Sequence, residues 1–115
     1  MTNLLESLVN DYIVGVTFIH DYFQLQFQSG AGMSIFTTAS IVDGDDSTKY
    51  SEGGFADILV RQIGKQISSV TVYQDKCLII NLVGNTTISI SLLEEDYVCP
   101  EAVDFRSNDG TLLVM

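Results

Sequence analysis

The sequence predicts an α+β fold: a mainly antiparallel β meander of about eight strands, forming one strongly curved sheet or a half-open barrel, covered by one or two short helices. Three observations carry this. Phe23-Gln24-Leu25-Gln26-Phe27-Gln28 alternates strictly between apolar and polar residues, and Thr87 to Leu92 does the same. Period two puts one face of each strand in a core and the other in water. Turn residues, namely Ser29-Gly30-Ala31-Gly32, Gly84-Asn85 and Asn108-Asp109-Gly110, separate the apolar runs at short spacing, as hairpins require. Helical spacing of apolar residues is confined to two short stretches.

In chain order, residues 2–9 place Leu4, Leu5 and Leu8 on one helical face, with Thr2 as N-cap and Glu6 in the first turn, where a carboxylate suits the helix dipole. Residues 12–19 read as a strand with Tyr12, Val14, Val16 and Phe18 on one face. The turn His20-Asp21 leads into the strand 23–28. Met33 to Ala39 is a third strand. Asp43 to Gly54 lacks apolar periodicity and reads as a loop, long for a compact domain and so a candidate for function. Phe55, Ile58, Leu59 and Ile63 return to helical spacing, and Gly64 sits where a helix stops. Strands follow at 67–74, 77–83 and 86–92. Pro100, the only proline, breaks the pattern. A last hairpin spans 103–115, turning at Ser107-Asn108-Asp109-Gly110. Short turns between successive antiparallel strands make a meander.

The chain reads as one domain, 1–115, containing a degenerate repeat over 2–42 and 55–98. Leu4 to Ile13 corresponds to Ile58 to Ile67, and Val16 to Asp21 corresponds to Val70 to Asp75. After a one-residue slip, Leu25, Phe27, Met33, Ser34 and Ile35 correspond to Ile80, Leu82, Ile88, Ser89 and Ile90. Each unit is helix–strand–strand–strand. The repeat places the acidic residues 43–46 after the third strand of one unit and Glu94-Glu95-Asp96 after the third strand of the other.

Composition narrows the function. The 115 residues are 46% hydrophobic and 17% charged, which suits one folded core rather than disorder. Fifteen Asp and Glu against five Lys and Arg leave a net charge of −10. Direct nucleic-acid binding needs clustered cations, and an anionic membrane surface needs the same. A basic protein is the partner this charge favours. The apolar runs are shorter than the ~20 residues of a membrane span, and the start Met1-Thr2-Asn3-Leu4-Leu5-Glu6 lacks the basic region of a signal peptide. Two cysteines are no disulfide framework. These features together point to the cytosol.

The residues that carry chemistry elsewhere form no active-site pattern, so the chain reads as a non-enzyme without metal or cofactor. His20 is the only histidine, whereas a transition-metal site takes several His or Cys ligands and a general base takes an orienting partner; Asp21 could orient it, but the pair reads more simply as a turn. Cys77 lies in the apolar run Lys76-Cys77-Leu78-Ile79-Ile80, where a thiol packs as a small hydrophobe, and Cys99 makes no Cys-x-x-Cys pair with it. Asp43-x-Asp45-Asp46 starts like a calcium loop, but Thr48 and Gly54 stand where Gly and Glu are needed. Gly30 and Gly32 precede no Lys-Ser or Lys-Thr of a phosphate loop. A carboxylate pair for glycoside hydrolysis stays open, disfavoured by the absence of Trp.

Ile63-Gly64-Lys65, Val70-Thr71-Val72, Ile80-Asn81-Leu82, Ile88-Ser89-Ile90 and Pro100-Glu101-Ala102-Val103-Asp104-Phe105, with Asp109-Gly110, resemble the small β-rich immunity proteins of contact-dependent growth-inhibition and other polymorphic toxin systems of bacteria. The resemblance covers residues 60–115 and brings no catalytic residues. It implies a tight protein partner, a cognate toxin to be neutralised. A nuclease toxin has a basic cleft that grips phosphates, and an acidic inhibitor is drawn to such a cleft by long-range attraction. The contact residues expected are Asp43, Asp45, Asp46, Tyr50 and Glu52, then Glu94, Glu95 and Asp96, with Phe55 and Tyr97 as further aromatic anchors. The alternatives are a small-ligand binder using the hollow of a curved sheet, a structural β-domain assembling through strand edges, and a hydrolase built on a carboxylate pair.

Overall fold

The computed structural model describes residues 3–97 and 99–115, apart from the side chain of Asn3. Among these residues two short helices, α1 (Asn3–Glu6) and α2 (Phe55–Val60), accompany ten strands: β1 (Ile13–Ile19), β2 (Tyr22–Phe27), β3 (Gly32–Ile35), β4 (Ala39–Asp43), β5 (Asp46–Lys49), β6 (Ile67–Tyr73), β7 (Cys77–Leu82), β8 (Thr86–Ser91), β9 (Val103–Arg106) and β10 (Leu112–Val114). They form two five-stranded antiparallel sheets. The first is ordered β1-β2-β3-β9-β10 and the second β5-β4-β8-β7-β6.

The α+β class and the antiparallel pairing agree with the sequence reading. The single curved sheet or half-open barrel of eight strands does not. The run 33–39 is two strands rather than one. β3 ends at Ile35, Phe36–Thr38 carries the chain across, and β4 begins in the other sheet. The segment 43–54, read as loop, contains β5, whose Ser47 and Thr48 pair with Val42 and Ile41. Thr48 is buried although its neighbours alternate poorly. The helix expected over 2–9 is a single α turn followed by hydrogen-bonded turns, with Leu5 and Leu8 buried; its N-cap, Thr2, lies outside the described residues.

The two halves exchange their last hairpins. β4–β5 leaves the first three strands and docks on β8, while β9–β10 leaves β6–β8 and docks on β3. The registers run in parallel. Phe23 pairs with Ile35 and Leu25 with Met33, as Leu78 pairs with Ile90 and Ile80 with Ile88. Ile35 then pairs with Val103 and Met33 with Phe105, as Ile90 pairs with Ala39 and Ile88 with Ile41. Both β1 and β6 begin with a register shift, at Ile13/Gly15 and at Ile67/Ser69. The halves meet at a bridge between Tyr12 and Gln66, flanked by reciprocal bonds. Asn10 N–H donates to Ile67 O (2.8 Å) and Gly64 N–H to Ile13 O (2.6 Å). Asn10 and Gly64 both adopt left-handed φ, 75° and 95°, which these two residue types tolerate best.

Alternation decides which side chains the sheets bury. Phe23, Leu25 and Phe27 of β2, Leu78, Ile80 and Leu82 of β7, Ile88 and Ile90 of β8, and Val103 and Phe105 of β9 all point inward and join one apolar cluster. Full burial of each such side chain stabilises by about 1.5–3 kcal/mol. β1 keeps the expected face only in part: Val16 and Phe18 stand opposite inward-facing Leu25 and Phe23, with Phe18 partly exposed at the sheet edge, but across the shift at Ile13/Gly15 it is Ile13 that is buried, while Tyr12 and Val14 are exposed. Cys77, expected inside, is half-buried on the outward side of β7, next to buried Leu78.

The β9–β10 turn carries a measurable pH response. The Ser107 hydroxyl bonds to Asp109 Oδ1, and Thr111 N–H donates to the same oxygen (3.0 Å). The Ser107 bond first, and those from Thr111 after it, lower the Asp109 carboxyl from 3.8 to about 2. A carboxylate with a lowered folded pKa stabilises above its unfolded value, and that contribution fades as pH falls toward the folded one. The contribution of Asp109 is therefore complete above 3.8 and lost on descent to about 2. Urea midpoints of the wild type and Asp109→Asn should differ near neutral pH and converge at about pH 2.

Candidate functional site

The expected contact residues separate into two groups at opposite ends of the second sheet. Asp43 ends β4, Asp45 lies in the tight turn and Asp46 begins β5; Asp43 pairs with Asp46 on one side and Thr86 on the other. Glu94–Asp96 form a 3-10 turn after β8. The pairing of Ala39 with Ile90, and of Ser40 with Lys49, places that turn at the far end of β4, with Tyr50 and Glu52. About 13 Å of strand separates the two ends. The first group follows the fourth strand and the second group the eighth, so the two are not in equivalent positions. The difference from the sequence expectation comes from the break between β3 and β4, which adds a strand before Asp43 that the second half lacks before Glu94.

At the first end most carboxylates already have partners. Asp43 Oδ2 accepts from Gln62 Nε2 (2.9 Å) and Oδ1 from Thr86 Oγ1 (3.2 Å), with Lys65 Nζ at 3.9 Å. The Gln62 bond is the chief reason that the Asp43 carboxyl lies below its usual range; burial opposes it, and Lys65, Thr86 and Arg61 add to it. Gln62 is itself fully buried and also donates to Ile58 O (2.8 Å). Its Oε1 has no donor among the described residues. Asp46 pairs with Arg61 NH2 at 3.1 Å. These contacts fasten the β4–β5 hairpin to α2 and to the start of β8. Asp45 is exposed and free of such bonds among the described residues.

At the second end the pattern is similar. Glu52 Oε1 accepts from Lys49 N–H (3.0 Å) and holds the turn after β5. Asp96 Oδ2 accepts from Ser91 Oγ (2.6 Å). Tyr50 packs against Phe23 (ring centroids 5.2 Å apart) and Phe55 (5.4 Å), and burial, with Asp21 contributing, raises its phenol pKa. Phe55 is buried and Tyr97 half-buried against the core. Glu94 and Glu95 are exposed, and among the described residues they make no ion pair or side-chain hydrogen bond. Of the expected contact set, then, Asp45, Glu94 and Glu95 present uncommitted charge. Asp43, Asp46, Glu52 and Asp96 each hold a structural bond, and Tyr50 is half-buried against the core.

Two concave surfaces were not legible in the sequence. A cleft of about 500 Å³ opens between α1, the β6–β7 turn and β10, lined by Leu5, Val72, Asp75, Leu92, Tyr97 and Met115 among others. A shallower groove of about 470 Å³ crosses the outer face of the second sheet, where Ser40, Ser89, Ser91 and Cys77 lie between Lys49 and Lys76. Only tertiary pairing brings these residues together. His20 lies in its turn with Nε2 3.4 Å from Asp21 Oδ1, both side chains largely in solvent. Cys77 and Cys99 are free. Among the described residues no helix is long and apolar enough to cross a membrane.

Comparison with known protein families, curated proteins and solved structures finds no match for this chain.

Proposed function

We propose that the chain is a cytosolic bacterial immunity protein that binds a cognate basic toxin, of nuclease type, and neutralises it by charge complementarity. The observation that carries this reading is the uncommitted acidic surface: Asp45, Glu94 and Glu95 stand free in a chain of net charge −10. Free carboxylates on rigid turns attract a cationic cleft at long range and occupy its phosphate positions at contact. Asp43, Asp46, Glu52 and Asp96 add to the field while holding their turns in place. Half-buried Tyr50 and Tyr97 supply apolar contact beside the second group. No catalytic step or cofactor belongs to this reading.

The parallel registers of the two sheets support a finer reading, that the chain is an internally duplicated unit whose copies have exchanged a hairpin. On that reading the turn equivalent to Asp43–Asp46 is Ser107–Gly110, which carries one carboxylate, Asp109.

The test is co-purification with the protein encoded immediately upstream, at low and high salt. Tight binding that weakens steeply with salt is the expected result. No binding at any salt removes that neighbour as the partner and favours the second reading, a small-ligand binder using the 500 Å³ cleft. That reading is checked by thermal shift against a metabolite panel, since a ligand that binds the folded state raises Tm.

A further inference from the structure

The edges of the two sheets are unequally protected. β5, at one edge of the second sheet, carries Asp46 and Lys49, and β10, at one edge of the first, is three residues long. Charge and shortness are the usual guards of a strand edge. β1 has neither. It is seven residues long, Ile-Val-Gly-Val-Thr-Phe-Ile without a charge, and only β2 pairs with it. Its first residue is tied down by bonds to Gly64 and Lys65, but among the described residues no element other than β2 bonds to the backbone of Val14–Ile19. Alternate residues of an antiparallel edge strand turn N–H and C=O away from the sheet. Val14, Phe18 and Ile19 are 49%, 41% and 38% exposed. The apolar surface continues onto exposed Val60 and Ile63, which the Gly64–Ile13 bond brings alongside.

β6 is the corresponding edge of the other sheet, and the difference between the two shows what β1 would accept. Lys65, Asp75 and Lys76 flank β6, and its Val70 and Val72 are half-buried, as is Val16 of β1. Asp11 and Asp21 flank β1. Residues 1–48 contain no Lys or Arg, and of their six carboxylates Asp43, Asp45 and Asp46 lie on the second sheet. A second copy of the chain, at −10, is repelled from such an edge, and an extended cationic segment is attracted to it.

We propose that the free edge of β1 is a docking surface for an extended basic segment of another protein, which adds as a sixth strand to the first sheet. Main-chain bonds would supply affinity, and alternate apolar side chains would lie over Val14 and Phe18. The surface is on a different sheet from the acidic turns, so this inference goes beyond the toxin reading and stands or falls apart from it.

The test uses the ¹⁵N-labelled full chain and a capped hexapeptide of alternating lysine and valine. The expected result is shift changes concentrated in β1 and slowed hydrogen exchange at alternate β1 amides. An alternating glutamate–valine peptide, and a lysine–valine peptide N-methylated along one edge, should produce neither effect. Thr17→Lys places a cation on the exposed side of β1 and should abolish the response while leaving the spectrum folded. Shifts confined to the acidic turns, or no shifts, would overturn the proposal. So would exchange in β1 that slows with the protein's own concentration, which would make the occupant a second copy.

Discussion

Phe23→Ala should lower stability by about 3–5 kcal/mol, the range for truncating a buried aromatic. Phe23 is fully buried, and its ring lies 5.2 Å from Tyr50, 5.5 Å from Phe55 and 6.1 Å from Phe18. It therefore joins four elements: β1 and β2 of the first sheet, the turn just after β5 in the second, and the start of α2. Removing the ring leaves a cavity at the seam between the sheets, and paired strands cannot easily collapse into it. Against a total stability of about 5–15 kcal/mol, the loss is a large fraction. The measurement is a urea midpoint with an unchanged slope. Phe18→Ala is the control, because Phe18 is already 41% exposed and should cost much less. A loss below about 1 kcal/mol at Phe23 would mean that Tyr50 and Phe55 move in to fill the space.

The second large effect is on association. Glu94→Lys with Glu95→Lys reverses two exposed charges that hold nothing in place. If the partner is a basic toxin, the association rate at low salt should fall on the order of 10- to 1,000-fold, the range over which electrostatic steering operates. The difference from wild type should shrink as salt rises. Stability should stay within about 0.5 kcal/mol, as for surface changes away from special features. Asp46→Lys separates the two roles. It breaks the pair with Arg61 and should perturb the hairpin as well as the rate. Stopped-flow association across a salt series, with thermal melts alongside, distinguishes these outcomes. Equal rates for wild type and the double variant at low salt would exclude Glu94 and Glu95 from the contact surface.

The exchanged hairpins explain why the fold was only half legible. β2 and β8 announce themselves, because Phe23-Leu25-Phe27 and Ile88-Ile90 alternate with polar residues in a period that only a half-buried strand satisfies, and β7 does so as a short apolar run, Cys77-Leu78-Ile79-Ile80, between turn signals. β5 does not. Asp-Ser-Thr-Lys has no apolar periodicity, and it is a strand because β4 offers it a row of backbone partners. The break between β3 and β4 is equally silent. Phe36, Thr37 and Thr38 have the residue types of a continuing strand, and the chain crosses between the sheets there: Phe36 N–H still donates to Ala102 O beside β9 of the first sheet (2.8 Å), and Thr38 O already accepts from Ser91 N–H of β8 in the second (3.0 Å).

The candidate site divides in the same way. Charge density is a property of composition, so the acidic clusters at 43–46 and 94–96 could be read directly. Which carboxylates are free could not. Gln62 lies 19 residues from Asp43, Thr86 43 residues from it, and Arg61 15 residues from Asp46; no local pattern marks them as partners. By itself, then, the sequence determined the class of fold, the individual alternating strands, and the acidic net charge of the chain. These depend on residue type and short-range period. Tertiary structure alone decided that the strands form two sheets, that each half completes the other's, and that Asp43 and Asp46 fasten a hairpin while Asp45, Glu94 and Glu95 remain available. These are contacts between residues far apart in the chain, and their energies arise only once the backbone has brought them together.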